Sequence, residues 1–386
     1  MKKNLAKVFT LVMAIALLCT SCGLSGAPAE TPAQTPTTNT DTPAPEQAAP
    51  TEVKVGLEQN AHEIPDYTNV GSDVKVLRLT VSMGAADYGT SASGMMFKTF
   101  VDKLEEVSGG KMVAQVYPSN QLASTTDDIV NGLVTGAFEM SEVGCANWGD
   151  YTTAFTAMNV PFLYSSDEVA YNTMNGPFGQ ACFDQFTADT GLRAAGFLYL
   201  GMRCLSNNSK EIHSPADMKG MKIRVQNDPT QLKLFEELGA STMTVSFSEL
   251  FTALQQKLCD GQDNPVITFV SKKFYEVQGY LTMLNHLPNI SIFVMSDAYY
   301  QSLSDEEKGW VDTAAQAATE ACYETLVETQ GILLQQLKDY GINVTELTDA
   351  EYQVFADSVS ETWAMCEKTL GSDTWNSLLA AVAEAK

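Results

Sequence analysis

The stretch Val74–Met83, with the sequence VKVLRLTVSM, sets the fold class of this chain. Apolar and polar residues alternate along it, as in a β-strand with one buried face, and Gly84 ends the pattern. Apolar side chains then recur at helical spacing until Gly109 and Gly110, at Met96, Phe97, Phe100, Val101 and Leu104. A β-strand followed by an α-helix is therefore predicted as the first unit of the fold.

The same alternation of strand and helix continues along the chain. Lys111–Tyr117 is predicted as a strand ended by Pro118, Ser124–Asp127 as a helix cap, and the region 138–143 as another strand. Further strands are expected at 196–205 and 221–225, and further helices at 229–238, 247–258 and 304–341, the last with an acidic first turn. Strands separated by single helices favour an α/β fold with right-handed crossovers and helices on both faces of the sheet.

The N-terminus has the pattern of an export signal. Lys2, Lys3 and Lys7 precede the run Val8–Leu18, whose eleven residues are too few to span about 30 Å of hydrocarbon. Ser21-Cys22 resembles a lipobox, although Cys19 stands where Leu is usual. Residues 1–21 are therefore predicted as a signal peptide and Cys22 as the lipidated first residue of an extracytoplasmic protein. Cys19-x-x-Cys22 also has the spacing of redox and metal motifs, but its place in a signal peptide favours the first interpretation.

A segment rich in Pro, Ala, Thr and Gln follows the predicted signal. Its composition, most pronounced over residues 23–52, does not supply enough apolar surface to offset the entropy of ordering. Residues 22–70 are therefore predicted as a tether, with 53–73 open to interpretation as further leader or as a short extra strand. About 310 residues remain, which is enough for two domains of ordinary size.

Charge and cysteine content exclude several classes of partner. The chain has 23 basic and 47 acidic side chains and a net charge of −24, which becomes −27 when the three lysines of the signal are subtracted. Such a chain repels nucleic acid and anionic lipid. The six later cysteines are widely spaced without a zinc pattern, so neither a metal nor another cofactor is expected, and disulfides stay open. These cysteines are Cys145, Cys182, Cys204, Cys259, Cys322 and Cys366.

Arg224 is the side chain that points to a ligand. It lies between Ile223 and Val225 in the stretch KIRVQN (222–227), and the whole chain has only four arginines beside 19 lysines. An arginine in a buried strand needs a partner, because its charge cannot be titrated away and desolvation without a partner costs several kcal/mol. No acidic residue is adjacent in sequence, so the partner is either an acid brought near by folding or an external anion.

Several motifs together resemble one transporter family. They are SGGKMVAQVYPSNQLAS (108–124), NVPFLYSSDEVAY (159–171), SPADMKGMKIRV (214–225), FSELFTALQQKLCDGQDNP (247–265) and KFYEVQGYL (273–281). In collinear order over residues 75–330, they are similar to the solute-binding subunit of tripartite ATP-independent periplasmic (TRAP) transporters. The segment Thr242-Met243-Thr244 departs from the Pro-Thr-Pro-like turn of the family.

The resemblance implies a two-lobed α/β clamshell. Each lobe is expected to have a mixed sheet flanked by helices, and the lobes to be linked by crossover strands and a long helix. Lobe I is expected over 75–200 plus about 290–330, and lobe II over 201–289 plus 331–386. The implied partners are a small carboxylate, such as a sugar acid or dicarboxylate, and the small and large TRAP membrane subunits. The protein itself is expected to be a monomer, anchored through lipidated Cys22 to the outer face of the membrane.

The resemblance also implies which residues bind the ligand. Arg224 matches an arginine that forks onto the ligand carboxylate, and Arg203, after FLYLGM, matches a second arginine at that carboxylate. Asn264 matches an amide at the ligand, and Phe247 matches an aromatic side chain that covers its apolar side. The structural alternatives are internal pairing for Arg224, the surface for Arg203, a turn for Asn264 and the core for Phe247.

The end of the third predicted strand adds three candidates. Asn147, Trp148 and Glu142 lie where loops after strands line a cleft, with sheet edge and loop as the alternative. A Glu142 that faces the cleft would repel a second carboxylate and accept hydrogen bonds from hydroxyl groups, which favours a hydroxy acid or sugar acid.

Enzymatic and sensory functions have weaker support in the sequence. The common catalytic motifs are absent and the three histidines stand far apart, so His213 and His286 are interpreted as structural. Asp260 and Asp263 would be the carboxylate pair of a hydrolase, but turn residues around Gly261 are the preferred interpretation. A ligand-sensing protein for a signalling partner is the other alternative. The predicted function is therefore that of a non-enzymatic, extracytoplasmic solute-binding protein.

Overall fold

A computed structural model describes residues 62–386. The predicted signal peptide, the predicted lipidation site at Cys22 and most of the predicted tether lie outside these residues. From residue 62 the chain already packs on the folded part, because Tyr67 donates from its hydroxyl to Glu105 at 2.7 Å and from its backbone N–H to Gln115 at 2.6 Å. Residues 62–73 form no strand. Part of the predicted tether, which extends to residue 70, thus includes contacts to Glu105 and Gln115.

Eleven strands and thirteen α-helices form residues 62–386. The strands are β1 (Lys75–Thr80), β2 (Met112–Tyr117), β3 (Met140–Gly144), β4 (Leu192–Met202), β5 (Cys204–Asn207), β6 (Lys222–Val225), β7 (Ser241–Thr244), β8 (Gly261–Asn264), β9 (Tyr280–Thr282), β10 (Pro288–Ser296) and β11 (Asn343–Thr345). The helices are α1 (Ala92–Ser108), α2 (Thr126–Thr135), α3 (Asp167–Asn175), α4 (Pro177–Thr190), α5 (Pro215–Met218), α6 (Pro229–Glu237), α7 (Leu250–Gln255), α8 (Val266–Ser271), α9 (Asp297–Ser302), α10 (Asp305–Tyr340), α11 (Asp349–Asp357), α12 (Ser360–Leu370) and α13 (Ser372–Glu384).

The first sheet has the strand order β2-β1-β3-β10-β4. Strand β1 is parallel to β2 and β3, whereas β10 is antiparallel to β3 and β4. Leu77 and Leu79 of β1 are fully buried, as the alternating pattern predicts. Helix α1 ends where Gly109 adopts a left-handed φ of 60°, a conformation that glycine reaches without strain. The local signals in the sequence thus predict β1, α1 and β2 closely.

The second sheet has the order β11-β9-β5-β8-β6-β7. Strand β6, which carries Arg224, is parallel to β7 and β8, and β5 is antiparallel to β8 and β9. The segment Ser241–Thr244, where the family turn is replaced, forms the edge strand β7. Both sheets are mixed and flanked by helices, so the predicted fold class is confirmed.

Two strand connections and one helix link the sheets. The sequence predicts a single strand over 196–205, but the chain leaves the first sheet after Met202 and enters the second at Cys204. The chain returns from β9 to β10, and the Arg203 N–H donates to the Leu287 carbonyl at 2.7 Å where the two connections meet. The third link, α10, starts in a capping box of Ser304 and Glu307.

The C-terminal helices contact elements from both halves. Helix α12 packs against α6, whereas α13 packs against α3 and α4. The Trp363 indole N–H donates to the Pro161 carbonyl at 2.8 Å, and Trp363 and Trp375 meet edge to face. The segment 331–386, assigned to lobe II from the sequence, therefore also contacts helices that belong to the lobe I range.

The remaining expectations concern cysteines, metals and membrane spans. All six cysteines of residues 62–386 are free and buried. In the same residues, no group of three or more acidic, histidine or cysteine side chains has the arrangement of a metal site. None of the described helices combines the length and the apolar character needed to cross a bilayer.

Candidate functional site

A cavity of about 530 Å³ lies between the two sheets. The first sheet contributes Gly144 and Ser291 to its wall, and the second contributes Arg224 and Asn264. Five of the predicted site residues line the cavity, namely Glu142, Asn147, Arg224, Phe247 and Asn264. The other two predicted residues, Arg203 and Trp148, do not.

Arg224 is a buried guanidinium without an acidic partner among residues 62–386. Its side chain is 4% exposed and lines the cavity. Its Nε and Nη2 atoms donate to one acceptor, the Val245 carbonyl, at 3.0 and 2.7 Å. Burial lowers the pKa of Arg224 to about 10, and the carboxylate of Asp263 offsets this only in part. No acidic side chain of the described residues pairs directly with this charge, and the guanidinium borders the cavity.

Arg203 has a different environment, because its donors are paired within the protein and it does not line the cavity. Its Nε donates to Asp263 at 2.6 Å, its Nη2 to the Asp263 backbone carbonyl at 2.5 Å, and its Nη1 to Asn289 at 2.7 Å. The guanidinium is 2% exposed. Because Asp263 lies in β8 and Asn289 in β10, Arg203 joins the two sheets at the point where the chain crosses between them. The alternative of a surface arginine does not fit this buried side chain, and a role of Arg203 at the ligand stays a prediction.

His286 completes the buried cluster around Asp263. Its Nε2 lies 3.1 Å from Asp263 Oδ2, and both side chains are fully buried. Burial lowers the pKa of His286, and Nε2 is the donor because a carboxylate oxygen accepts. Burial alone would raise the pKa of Asp263, but the Arg203 charge and the His286 hydrogen bond hold it below its usual range. Asp263 is thus a buried strand residue and not the turn residue that the sequence suggests.

Asn264 places an amide beside Arg224 in the cavity wall. Its Nδ2 donates to Gln262 Oε1 at 2.5 Å, which fixes the side chain against the sheet. Its Oδ1 accepts no hydrogen bond from the described residues and is available to a donor on a ligand. Asn264 belongs to strand β8 and is followed by Pro265, so the alternative of an ordinary turn residue does not hold.

Glu142 is an acidic side chain in the cavity wall. Its Oε1 accepts from the Ser82 N–H at 2.9 Å and from the Ser82 hydroxyl. Desolvation raises the pKa of Glu142 against the opposing effects of Ser82 and the Lys272 charge. Lys272 donates to the Ser82 carbonyl at 3.2 Å. Burial raises the pKa of Asp87, and the positive charge of Lys272 opposes this rise.

Phe247 and Trp148 differ in their access to the cavity. Phe247 is half-buried, lines the cavity and has the Lys272 ammonium 5.4 Å from its ring centroid. Trp148 is fully buried and meets Phe186 edge to face at 4.8 Å. Trp148 follows Asn147 in a short 3-10 turn, where neighbouring side chains diverge, so only Asn147 reaches the cavity.

The structure adds residues that the sequence did not single out. Gln226 lines the cavity directly after β6, where the rule for strand ends that selected Asn147 would also have selected it. A Cβ atom on Gly144 would lie 3.2 Å from Gln226 Nε2 and 3.4 Å from Asn147 Nδ2, so the two amides converge there. Lys272 and Asn289 carry no local signal, because only the tertiary fold brings them to the cavity.

Comparisons with known proteins agree with this geometry. Residues 85–369 match the family "Bacterial extracellular solute-binding protein, family 7". The chain is 31% identical over 269 residues to the sialic acid-binding periplasmic protein SiaP of Vibrio cholerae, covering 69% of this chain and 81% of that protein.

Two solved structures share the fold. The sugar acid binding protein DctPAm of Advenella mimigardefordensis, in complex with galactonate, superposes with a TM-score of 0.76 at 28% identity, over 81% of this chain and 100% of that one. A TRAP periplasmic solute binding protein of Shewanella oneidensis with bound succinate gives 0.74 at 25% identity, over 80% and 99%. This chain therefore belongs to family 7 of the bacterial extracellular solute-binding proteins, the solute-binding proteins of TRAP transporters.

Proposed function

We propose that the protein binds a small organic acid in the cavity between its sheets, with Arg224 on the ligand carboxylate, and passes it to TRAP membrane subunits. The observation that carries the proposal is the buried Arg224 guanidinium, which has no carboxylate partner among residues 62–386. Both oxygens of a carboxylate fit the planar donors of arginine. Galactonate and succinate, which the solved relatives bind, are both carboxylates.

The remaining groups of the site have complementary roles in this proposal. Asn264 orients the carboxylate through its amide, and Phe247 covers the apolar side of the ligand. Asn147 and Glu142 contact the ligand from the first sheet. Arg203 supports the site indirectly, because it holds Asp263 and Asn289 at the crossing between the sheets. Binding and transfer need no catalytic step, so the protein acts as a carrier and not as an enzyme.

Calorimetric titration of the mature protein with organic acids tests the ligand class. We expect at least one carboxylate to bind without turnover, and Arg224→Ala to weaken that binding at least about 100-fold, since removing one partner of a buried charge pair costs about 3–5 kcal/mol. Arg224→Lys keeps the charge but loses the fork and should also bind poorly. Wild-type affinity in the alanine variant, or conversion of the acid to a product, would contradict the proposal.

The proposed location is the outer face of the cell membrane, through a lipid on Cys22. The apolar run Val8–Leu18 and the small residues before Cys22 support it. Cell fractionation with the Cys22→Ser variant is the test. We expect the parent protein to be found in the membrane fraction and to incorporate labelled fatty acid. The Cys22→Ser variant should incorporate no labelled fatty acid. If both proteins incorporate the labelled fatty acid equally, the lipid is attached at a residue other than Cys22, which would contradict the proposal.

A further inference from the structure

The side chain of Gln231 is buried and holds one residue of the cavity wall. Gln231 lies in the first turn of α6 and is 1% exposed. Its Oε1 accepts from the Gln226 backbone N–H at 3.2 Å, and its Nε2 donates to Gln226 Oε1 at 3.0 Å. Its own backbone N–H donates to Asp228 Oδ1 at 2.9 Å, which fixes the start of the helix. Both side-chain hydrogen bonds of Gln231 therefore position Gln226, which lines the cavity.

These two hydrogen bonds determine which end of the Gln226 amide faces the cavity. A backbone N–H can only donate, so the Gln231 atom beside it must be the amide oxygen. The other end of the Gln231 amide is then an NH2 group, which can only donate, so it faces the oxygen of Gln226. The NH2 group of Gln226 is left at the opposite end of its amide, where it has no acceptor among residues 62–386. Gln226 thus offers the cavity a donor and not an acceptor.

Two polar groups of the first sheet meet this donor at Gly144. A Cβ atom on Gly144 would lie 3.2 Å from Gln226 Nε2 and 3.4 Å from Asn147 Nδ2. Ser291, the cross-strand partner of Gly144 on β10, has its Oγ 3.9 Å from the same point. All four residues line the cavity. Polar groups from both sheets therefore surround one part of the cavity wall.

These groups have no hydrogen-bond partner in the part of the chain that the structure describes. Neither the Asn147 amide nor the Ser291 hydroxyl makes a side-chain hydrogen bond within residues 62–386, and Ser291 is only 8% exposed. The amides of Gln226 and Asn147 also do not bond each other, although the oxygen of one could accept from the other. Because buried polar groups normally have a partner, the partner here comes from the cavity, as water before a ligand binds and as the ligand afterwards.

Building on the proposed function, we infer that Gln226, Asn147 and Ser291 form a subsite at Gly144 for an acceptor oxygen of the ligand, and that Gln231 positions this subsite. The oxygen is bonded from both sheets, because Gln226 follows β6 whereas Asn147 and Ser291 belong to the first sheet. Gln231 does not touch the ligand. It is a positioning residue, because it keeps the NH2 group of Gln226 directed toward Gly144.

The substitution Gln226→Met tests the subsite by calorimetric titration of the mature protein. The probe is the acid that binds the parent most tightly in a panel that includes galactonate and succinate, the acids bound by the solved relatives. Methionine keeps the length of the side chain but removes the donor, so we expect binding to weaken about tenfold. Parent affinity in Gln226→Met would overturn the subsite.

The substitution Gln231→Glu tests the positioning role through its pH profile. Burial raises the pKa of the introduced carboxyl group. In its protonated form this group accepts and donates as the amide does, whereas its ionised form only accepts and turns the oxygen of Gln226 toward Gly144. We expect affinity within about threefold of the parent at pH 5 and at least about tenfold weaker than the parent at pH 8. The same ratio to the parent at both pH values would refute the positioning role.

Two controls separate this effect from a general effect of charge. The pKa of Asp228, which accepts from the Gln231 N–H and is influenced by the Arg203 charge, is about 6, so each variant is compared with the parent at each pH. In the double variant with Gln226→Met, the pH effect of Gln231→Glu should disappear, because no amide is left to turn. Gln278→Glu makes the same change at another glutamine that is 1% exposed and does not line the cavity, and it should show no such pH effect. A pH effect that persists in either control would refute the role of Gln231.

The outcomes for the two proposals are distinguishable. If no acid binds the parent, or if Arg224→Ala binds like the parent, the proposed function itself fails. If the parent binds an acid through Arg224 but Gln226→Met binds it equally well, only the subsite is wrong. The Gln226→Met result does not depend on whether Gln231→Glu folds at pH 8.

Discussion

The two interior arginines of this protein should respond in opposite ways to the same substitution. The substitutions are Arg224→Met and Arg203→Met. Methionine is chosen because its side chain is long and unbranched like that of arginine but carries no charge. Both side chains are at most 4% exposed, so burial does not distinguish them. They differ in their partners, because Arg203 is bonded to the Asp263 carboxylate and Arg224 to a backbone carbonyl.

The expected free energies follow from these partners. Arg203→Met leaves the fully buried Asp263 carboxylate with His286 as its one side-chain hydrogen-bond partner among residues 62–386, and breaking a buried pair in this way costs about 3–5 kcal/mol of folding stability. Arg224→Met loses two hydrogen bonds to the Val245 carbonyl, each worth about 1 kcal/mol, but it also removes a desolvated charge. The two effects at Arg224 oppose each other, so its stability should stay within about 1 kcal/mol of the parent.

Urea unfolding without ligand measures both variants, and ligand titration follows. Arg203→Met should have a lower midpoint at unchanged slope, whereas Arg224→Met should unfold like the parent and lose ligand binding. Two results would refute the reasoning. A loss of several kcal/mol in Arg224→Met would make Arg224 a structural residue, and a stable Arg203→Met that fails to bind would restore Arg203 to the ligand contact that the sequence predicts.

Two further substitutions test local features. Burial raises the pKa of Asp228 to about 6, so the folded state binds a proton that the unfolded state releases between about pH 4 and 6, and this group lowers stability as pH rises through that window. Asp228→Asn keeps the helix cap but removes this titrating group. It should stabilise the protein by about 1–3 kcal/mol at pH 7.5 and by nearly nothing at pH 4, measured by urea unfolding. An equal gain in stability at both pH values would contradict this prediction. Gly144 has a φ of −59°, which alanine tolerates, but the added Cβ would press on Gln226 and Asn147. Gly144→Ala should keep its melting temperature and bind ligand about tenfold more weakly, a change of about 1.4 kcal/mol, and unaltered affinity in calorimetry would show that this point of the wall does not contact the ligand.

Most of the fold could be predicted because its signals are local. The helix α10 is an example, since Ser304 and Glu307 form a capping box and Gly341 ends the helix, as the stretch 304–341 indicates. One exception is the strand predicted over 196–205. Its residues are apolar apart from Arg203, and the pattern does not reveal that the chain changes sheets there.

The site residues separate according to the same distinction. Arg224 could be predicted because a charge between two β-branched residues of a strand is a local anomaly. The partner of Arg203 could not, because Asp263 lies 60 residues further along the chain and reaches Arg203 only through the pairing of β5 with β8. Trp148 and Asn147 are neighbours in sequence, but the 3-10 turn separates their side chains, a difference that needs backbone geometry.

A division of roles between the two arginines would make one cavity both rigid and selective. Arg203 donates hydrogen bonds to Asp263 and Asn289, which belong to different sheets. This link at the crossing point is present without any ligand. Arg224 belongs to the second sheet alone, and Glu142 to the first. A ligand that contacts both Arg224 and Glu142 would therefore link the two sheets through the cavity. This link would exist only while the ligand is bound, whereas the link through Arg203 is permanent. An acid that contacts Arg224 alone would add no such link, so groups of the ligand beyond its carboxylate should help to decide which acids hold the two halves together.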